Sequence, residues 1–145
     1  MSEPIHVVCG HCDSVVRLPH ERLREAPRCP KCHVPLFEGK PVTLTGANLD
    51  QHIRRTGLPL VVDFWAPWCG PCLAMAPFFE ETARRLEPDV RFGKLNTEAE
   101  PAPAARFSIR SIPTLIVFRD GREVARHSGA MNTAALTQWV NAAIA

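Results

Sequence analysis

The run Leu60-Val61-Val62-Asp63-Phe64-Trp65-Ala66-Pro67-Trp68-Cys69-Gly70-Pro71-Cys72 joins an apolar segment directly to two closely spaced thiols. Residues 60–66 are apolar except for Asp63, a pattern suited to a strand buried on both faces. Beyond them, Gly70 to about Leu86 carries Ala76, Phe79, Ala83 and Leu86 at helical spacing. Cys69 therefore falls where a strand ends and a helix begins. Unpaired N–H groups and the helix dipole favour an anion there, which stabilises a thiolate. Cys72, one turn along, can reach Cys69 but is expected deeper and away from the helix start. That asymmetry makes Cys69 the attacking sulfur in disulfide exchange and Cys72 the resolving one. Pro71 stiffens the turn between them, and Pro77 is expected to kink the helix.

Working outward, strands and helices alternate. Val42–Leu44 reads as a short strand and Ala47–Arg55 as a helix. Val90–Leu95 is the next strand, followed by a short helix around Ala102–Phe107. Thr114–Phe118 and Glu123–His127 flank Asp120-Gly121, a hairpin signal. A last helix starts near Asn132, with Leu136, Trp139, Val140, Ala143 and Ile144 on one stripe. The order β-α-β-α-β-α-β-β-α implies an α/β fold with a mixed sheet covered by helices on both faces.

The leader differs. Strand-like pieces Ile5–Val8 and Val15–Leu18 flank Cys9 and Cys12, and Cys29 and Cys32 follow a charged stretch. Pro35 to Pro41, interrupted by Gly39, reads as a junction. We expect a metal-binding module in residues 1–37 and a larger domain in residues 38–145. The leader is short enough that a bound metal would have to supply what its sparse core cannot.

Cys9-Gly10-His11-Cys12, sixteen residues, then Cys29-Pro30-Lys31-Cys32 match a zinc spacing. One tight turn aims two sulfurs at an ion, and two turns complete the tetrahedron that zinc prefers. Asp13 and His33, which follow the two pairs, tolerate positive φ and suit such knuckles. One structural zinc with all four positions filled is the expectation. Two disulfides or four plain thiols are the competing account, disfavoured in a cytosolic chain. His11 and His33 lie close enough to replace a cysteine ligand. His6, His20, His52 and His127 have no partner visible in the sequence and read as surface or packing residues.

Charge excludes little but helps. Lys and Arg outnumber Asp and Glu by 5 to 4 over residues 1–37 and by 12 to 11 over residues 38–145. Neither part is a basic patch, so nucleic acid is not an expected partner. No apolar run approaches the roughly 20 residues of a membrane span, and no membrane partner is expected. The N-terminus lacks the pattern of a signal peptide, so a cytoplasmic location is the expectation.

The stretch Val62–Cys72 closely resembles the active-site signature of the thioredoxin family. Lys94-Leu95-Asn96, Ile109-Arg110-Ser111-Ile112-Pro113-Thr114, Asp120-Gly121 and Ser128-Gly129-Ala130 extend the resemblance from about Val42 to the C-terminus. With its four-cysteine leader, the chain as a whole is similar to the zinc-containing thioredoxin 2 type of bacteria. The resemblance implies a thioredoxin fold with a small N-terminal zinc-ribbon-like module. It implies that Asp63 is a buried carboxylate assisting proton transfer to and from Cys72, with Lys94 as its partner. A lone Asp inside an apolar strand should in any case have a raised pKa. Pro113 resembles the family's cis-proline, which leaves the Ile112 backbone free for an extended substrate. Trp68, Gly70, Pro71, Ile112, Pro113, Gly129 and Ala130 would form a flat apolar patch for that substrate. Trp65 reads equally well as packing beneath the active-site loop. One departure stands out: Leu73 follows the second cysteine, where the family usually has a basic residue.

The resulting expectation is a monomeric protein-disulfide reductase, recharged by an NADPH-dependent thioredoxin reductase and acting on disulfide-containing proteins. On this reading the leader is dispensable for the chemistry. Two other classes remain: a zinc-dependent binding or chaperone module that the larger domain only scaffolds, and a redox sensor whose zinc thiolates oxidise and release metal.

Overall fold

Two sheets form, one from the leader and one from the larger domain. The computed structural model describes residues 3–145. In the leader, β1 (Pro4–Val8) pairs antiparallel with β2 (Val15–Pro19), and a 3-10 turn over His20–Arg24 follows. The remaining elements are β3 (Val42–Leu44), α1 (Leu49–Arg55), β4 (Leu60–Trp65), α2 (Gly70–Leu86), β5 (Arg91–Asn96), α3 (Pro101–Arg106), β6 (Thr114–Arg119), β7 (Arg122–Ser128) and α4 (Thr133–Ile144). They build a five-stranded sheet in the order β3-β5-β4-β6-β7. β4 is central, parallel to β5 and antiparallel to β6.

Strand alternation divides the core in two. Leu60, Val62 and Phe64 of β4 pack with α1 residues Leu49 and Ile53 on one face. Val61 packs with Met75, Phe79 and Ala83 of α2 and with Leu136 and Val140 of α4 on the other. Asp63 shares the face of Val61, so it points to the side that α2 covers. The element order matches the sequence reading, with small shifts at the ends. The first helix starts at Leu49 rather than Ala47, because Asn48 turns back to accept the Thr45 N–H at 2.7 Å. The residues from 70 to 86 remain a single helix through Pro77.

The leader is not a loose appendage. Leu58 of the larger domain joins Val7, Leu18, Leu23 and Leu36 in one apolar cluster. Arg91, at the start of β5, is buried, and its guanidinium donates to Leu36 O at 2.6 Å and Val8 O at 2.7 Å. It also lies 4.8 Å from the Phe37 ring centroid. A Cβ on Gly10 would lie 2.6 Å from Val42 Cγ2, so only glycine fits where the first knuckle meets β3. The Arg24–Asp89 pair, in which Nη2 reaches both carboxylate oxygens at 2.7 Å, is exposed and contributes little.

His52 corrects the sequence reading, which gave it no partner. It is fully buried on α1, and its Nε2 lies 3.0 Å from Asp13 Oδ1. Asn48 Nδ2 reaches the same carboxylate at 3.3 Å, and Gln51 Nε2 donates to Asp13 O at 3.1 Å. Burial holds the His52 pKa below its ordinary value, against the pull of the Asp13 carboxylate. One helix face therefore grips the residue that follows Cys12.

Arg91→Ala removes two charged donors and strands two buried carbonyls, so it should lower unfolding free energy by about 3 kcal/mol. Denaturant unfolding checks this; a loss below about 0.5 kcal/mol would show that the clasp is not structural.

Candidate active site and metal centre

The reactive pair owes its placement to a sharp strand-to-helix junction. The last carbonyl of β4, on Trp65, accepts the Thr97 N–H at 2.8 Å and the Thr97 hydroxyl at 3.1 Å. Ala66 O then accepts the Cys69 N–H at 3.1 Å, turning the chain into α2. Cys69 is the N-cap, in extended conformation. Pro71 sits at the second helical position, where its missing N–H is no loss. The Cys72 N–H points back and donates to Cys69 Sγ at 3.2 Å. This is the N-cap bond usually made to a Ser or Asp oxygen, here given to sulfur. The same bond and the helix dipole favour a thiolate at Cys69 once the pair is reduced.

The structure holds the pair as a disulfide with Cα atoms 5.2 Å apart. Relative exposures of 4% for Cys69 and 2% for Cys72 show both sulfurs nearly covered. The asymmetry expected from depth thus resides mainly in the hydrogen bond. Ala66, Trp65 and Ile112 pack around the two sulfurs, so Trp65 does lie against the active-site turn.

The loop facing the disulfide is fixed from the far side. The Ile112–Pro113 bond is cis, as the resemblance implied, and so is Glu87–Pro88, which nothing in the sequence had marked. Cys69 Sγ lies 3.8 Å from Ile112 O. Pro113 O accepts the Gly129 N–H at 2.9 Å, and the Thr114 hydroxyl bonds Ser111 O at 2.6 Å and Ser128 Oγ at 3.0 Å. These bonds bring Ile112, Pro113, Gly129 and Ala130 to one end of the sheet. Trp68, Gly70, Pro71, Gly129 and Ala130 are exposed, Ile112 is half-buried, and Pro113 is buried beneath them.

Asp63 is fully buried, and neither carboxylate oxygen has a hydrogen-bond partner among the described residues. Burial pushes its pKa up to about 7, against the opposing charge of Lys94. Lys94 is its register partner on β5, yet no ion pair joins them among the described residues. The ammonium instead sits 4.5 Å from the centroid of the Trp65 ring. A carboxyl of pKa about 7 is suited to both taking and giving a proton near neutrality. Glu87, beside Arg91 and the Gly39 N–H, is likewise pushed up by burial to about 7.

The four leader cysteines converge. Their sulfurs lie within 4.8 Å of one another, with Cys9–Cys32 at 3.7 Å and Cys12–Cys29 at 3.6 Å. A tetrahedron of Zn–S bonds near 2.3 Å has edges of about 3.8 Å, so the set fits such an ion. The two knuckles share one design. Cys9 N–H bonds Ser14 O at 2.8 Å and Cys29 N–H bonds Val34 O at 2.9 Å. Asp13 and His33 close the turns with φ of 62° and 69°. Burial pushes the Cys9 thiol up to about 12, and the Ser14 hydroxyl pulls Cys12 down to about 6.

Residues 40–142 match the family model described as "Thioredoxin", and residues 8–34 match "Thioredoxin 2, N-terminal", a zinc ribbon. Thioredoxin C-3 of Corynebacterium nephridii is 43% identical over 93% of this chain and 92% of its own length. Thioredoxin 1 of Synechococcus elongatus is 43% identical over 61% of this chain and 82% of its own. Thioredoxin of Rhodospirillum rubrum is 37% identical over 70% and 97% respectively.

The Asp63 pKa, raised by burial, makes a pH-dependent prediction. Between about pH 4 and 7 the folded chain retains a proton that the unfolded chain has released. Ionising Asp63 therefore costs stability as pH rises through that window, and the cost is complete above it. Asp63→Asn should be more stable than the parent at pH 8 by on the order of 3–4 kcal/mol, with the gap closing toward pH 4. Glu87 keeps its own slope in both proteins. Denaturant unfolding at the two pH values tests this; equal stabilities at pH 8 would contradict it.

Proposed function

The chain belongs to the thioredoxin family, and on that premise we propose that its reduced pair cleaves protein disulfides, with Cys69 attacking and Cys72 resolving. Membership makes it a dithiol oxidoreductase. The observation that carries the assignment of roles is the Cys72 N–H bond to Cys69 Sγ, which singles out one sulfur for stabilisation as an anion.

The exchange balances in two steps. The Cys69 thiolate attacks one sulfur of the partner's disulfide, forming a mixed disulfide and releasing the first partner thiolate. Cys72 then gives its proton to the Asp63 carboxylate and attacks Cys69 Sγ. That closes the Cys69–Cys72 bond and releases the second partner thiolate. Two electrons pass to the substrate, and the protein ends in the disulfide form. A thioredoxin reductase drawing on NADPH would return them. Lys94, by its charge, favours the ionised state of Asp63. Trp68, Gly70, Pro71, Ile112, Gly129 and Ala130 receive the partner's chain, with Pro113 supporting them from below.

The division of the chain into residues 1–37 and 38–145 belongs to the same proposal, with one structural zinc held by Cys9, Cys12, Cys29 and Cys32. Filled coordination leaves that ion no role in the exchange. Among the described residues no helix is long and apolar enough to cross a membrane. A cytoplasmic location belongs to the same proposal, because a reductant pool there would keep the dithiol charged.

Insulin-disulfide reduction tests the roles. The parent should turn over, Cys69→Ser should not, and Cys72→Ser should accumulate a mixed disulfide; equal rates for parent and Cys69→Ser would defeat the assignment. Metal analysis should return one zinc per chain, with two titratable thiols in the reduced native protein. Six thiols and no metal would remove the zinc.

A further inference from the structure

We propose that the outer face of the first two turns of α2, formed by Leu73, Ala74, Pro77 and Phe78, is a docking strip for apolar side chains flanking the substrate's disulfide. The proposal rests on the exchange reaction above and names the class of polypeptide it favours.

Four large hydrophobic side chains are exposed among the described residues: Trp68 at 69%, Leu73 at 52%, Val124 at 48% and Phe78 at 42%. Val124 lies apart on β7. The other three follow one another from the edge of the disulfide along α2. Positions 73, 74, 77 and 78 are neighbours at three- and four-residue spacing, opposite the buried Cys72, Met75 and Phe79. No Asp, Glu, Lys or Arg occurs from Phe64 to Phe79, and then Glu80, Glu81, Arg84 and Arg85 follow. Glu81 is engaged by both Arg84 and Arg85. The outer face of the helix thus changes from apolar to ionic at one turn, and the apolar half is the one that adjoins Cys69.

The strip is rigid. The Thr82 hydroxyl donates to Phe78 O at 2.8 Å, and the Thr133 hydroxyl, from the start of α4, lies 3.4 Å from the same carbonyl. Eight residues of helix separate Gly70 from Phe78, about 12 Å. An extended partner spans that in roughly four residues. The side chains read are therefore those within about four positions of the attacked cysteine. Four partly exposed side chains offer a few hundred Å² at most, below the roughly 800 Å² per partner of a stable interface. A transient substrate suits that size better than a permanent second copy. The basic residue usual after the second cysteine would interrupt the strip; Leu73 completes it.

The test uses the full chain and two cystine peptides that differ only at the four residues on either side of the disulfide, leucine in one and serine in the other. Bis(2-hydroxyethyl) disulfide serves as a substrate with no flanks. The parent should prefer the leucine peptide about tenfold in kcat/KM. Leu73→Ser combined with Phe78→Ser should reduce that preference to within twofold, leaving the serine peptide and the small disulfide unchanged. Leu73→Asp alone, at the more exposed of the two sites, should move the preference the same way should the double variant fold poorly. A parent without preference, or an equal fall for both peptides, overturns the strip. So does a dimer in sedimentation that the double variant abolishes, since the face would then serve self-association. A parent that reduces none of the three substrates removes the exchange reading itself.

Discussion

A sulfur at the N-cap of α2 organises this molecule. The bond from the Cys72 N–H to Cys69 Sγ requires a strand that stops abruptly, a turn without a competing donor and a helix that begins at once. Each is supplied by named residues: Thr97 secures the end of β4, Pro67 follows it, and Pro71 removes an N–H where none is needed. The same junction decides the fate of Asp63. Alternation along β4 turns it toward the α2 side, where burial leaves its carboxyl half-ionised near neutral pH.

The metal centre and the redox centre are separate pieces of chemistry on one continuous body. Arg91 is a buried cation whose donors go to backbone carbonyls of the leader, and His52 reaches across to the residue beside a cysteine knuckle. Removing one partner from such a buried charge is expensive. The leader also lies against β3, an edge strand of the larger sheet, with Gly10 against Val42. The module therefore contributes packing to the larger domain, which is a separate matter from its expected dispensability for the chemistry.

Much of this was legible because its signals are local. Helix 70–86, the tight Asp120-Gly121 hairpin and the knuckle residues Asp13 and His33 each announce themselves within a few positions. The Asn132 cap does too, its side chain accepting the Ala135 N–H at 2.9 Å. The cis bond at Pro113 came from family resemblance alone. What escaped was long-range. His52 meets a partner 39 residues away, and Arg91 meets carbonyls 55 and 83 residues away. A histidine in a short helix and an arginine opening a strand look like surface groups until the leader is docked on them. Lys94 lies opposite Asp63 on the neighbouring strand and acts on it by charge, while the seat of its ammonium 4.5 Å from the centroid of the Trp65 ring had no signal in the sequence.

The account stands or falls on which sulfur is the stabilised anion. Pulse alkylation of the fully reduced protein across pH 5 to 10, with the modified cysteine located by peptide mass, measures this directly. Cys69 should be modified first at every pH, with a midpoint below the roughly 8.5 of an ordinary thiol, and Cys72 should react only at higher pH. Preferential modification of Cys72 near neutral pH, with Cys69 inert, would contradict it.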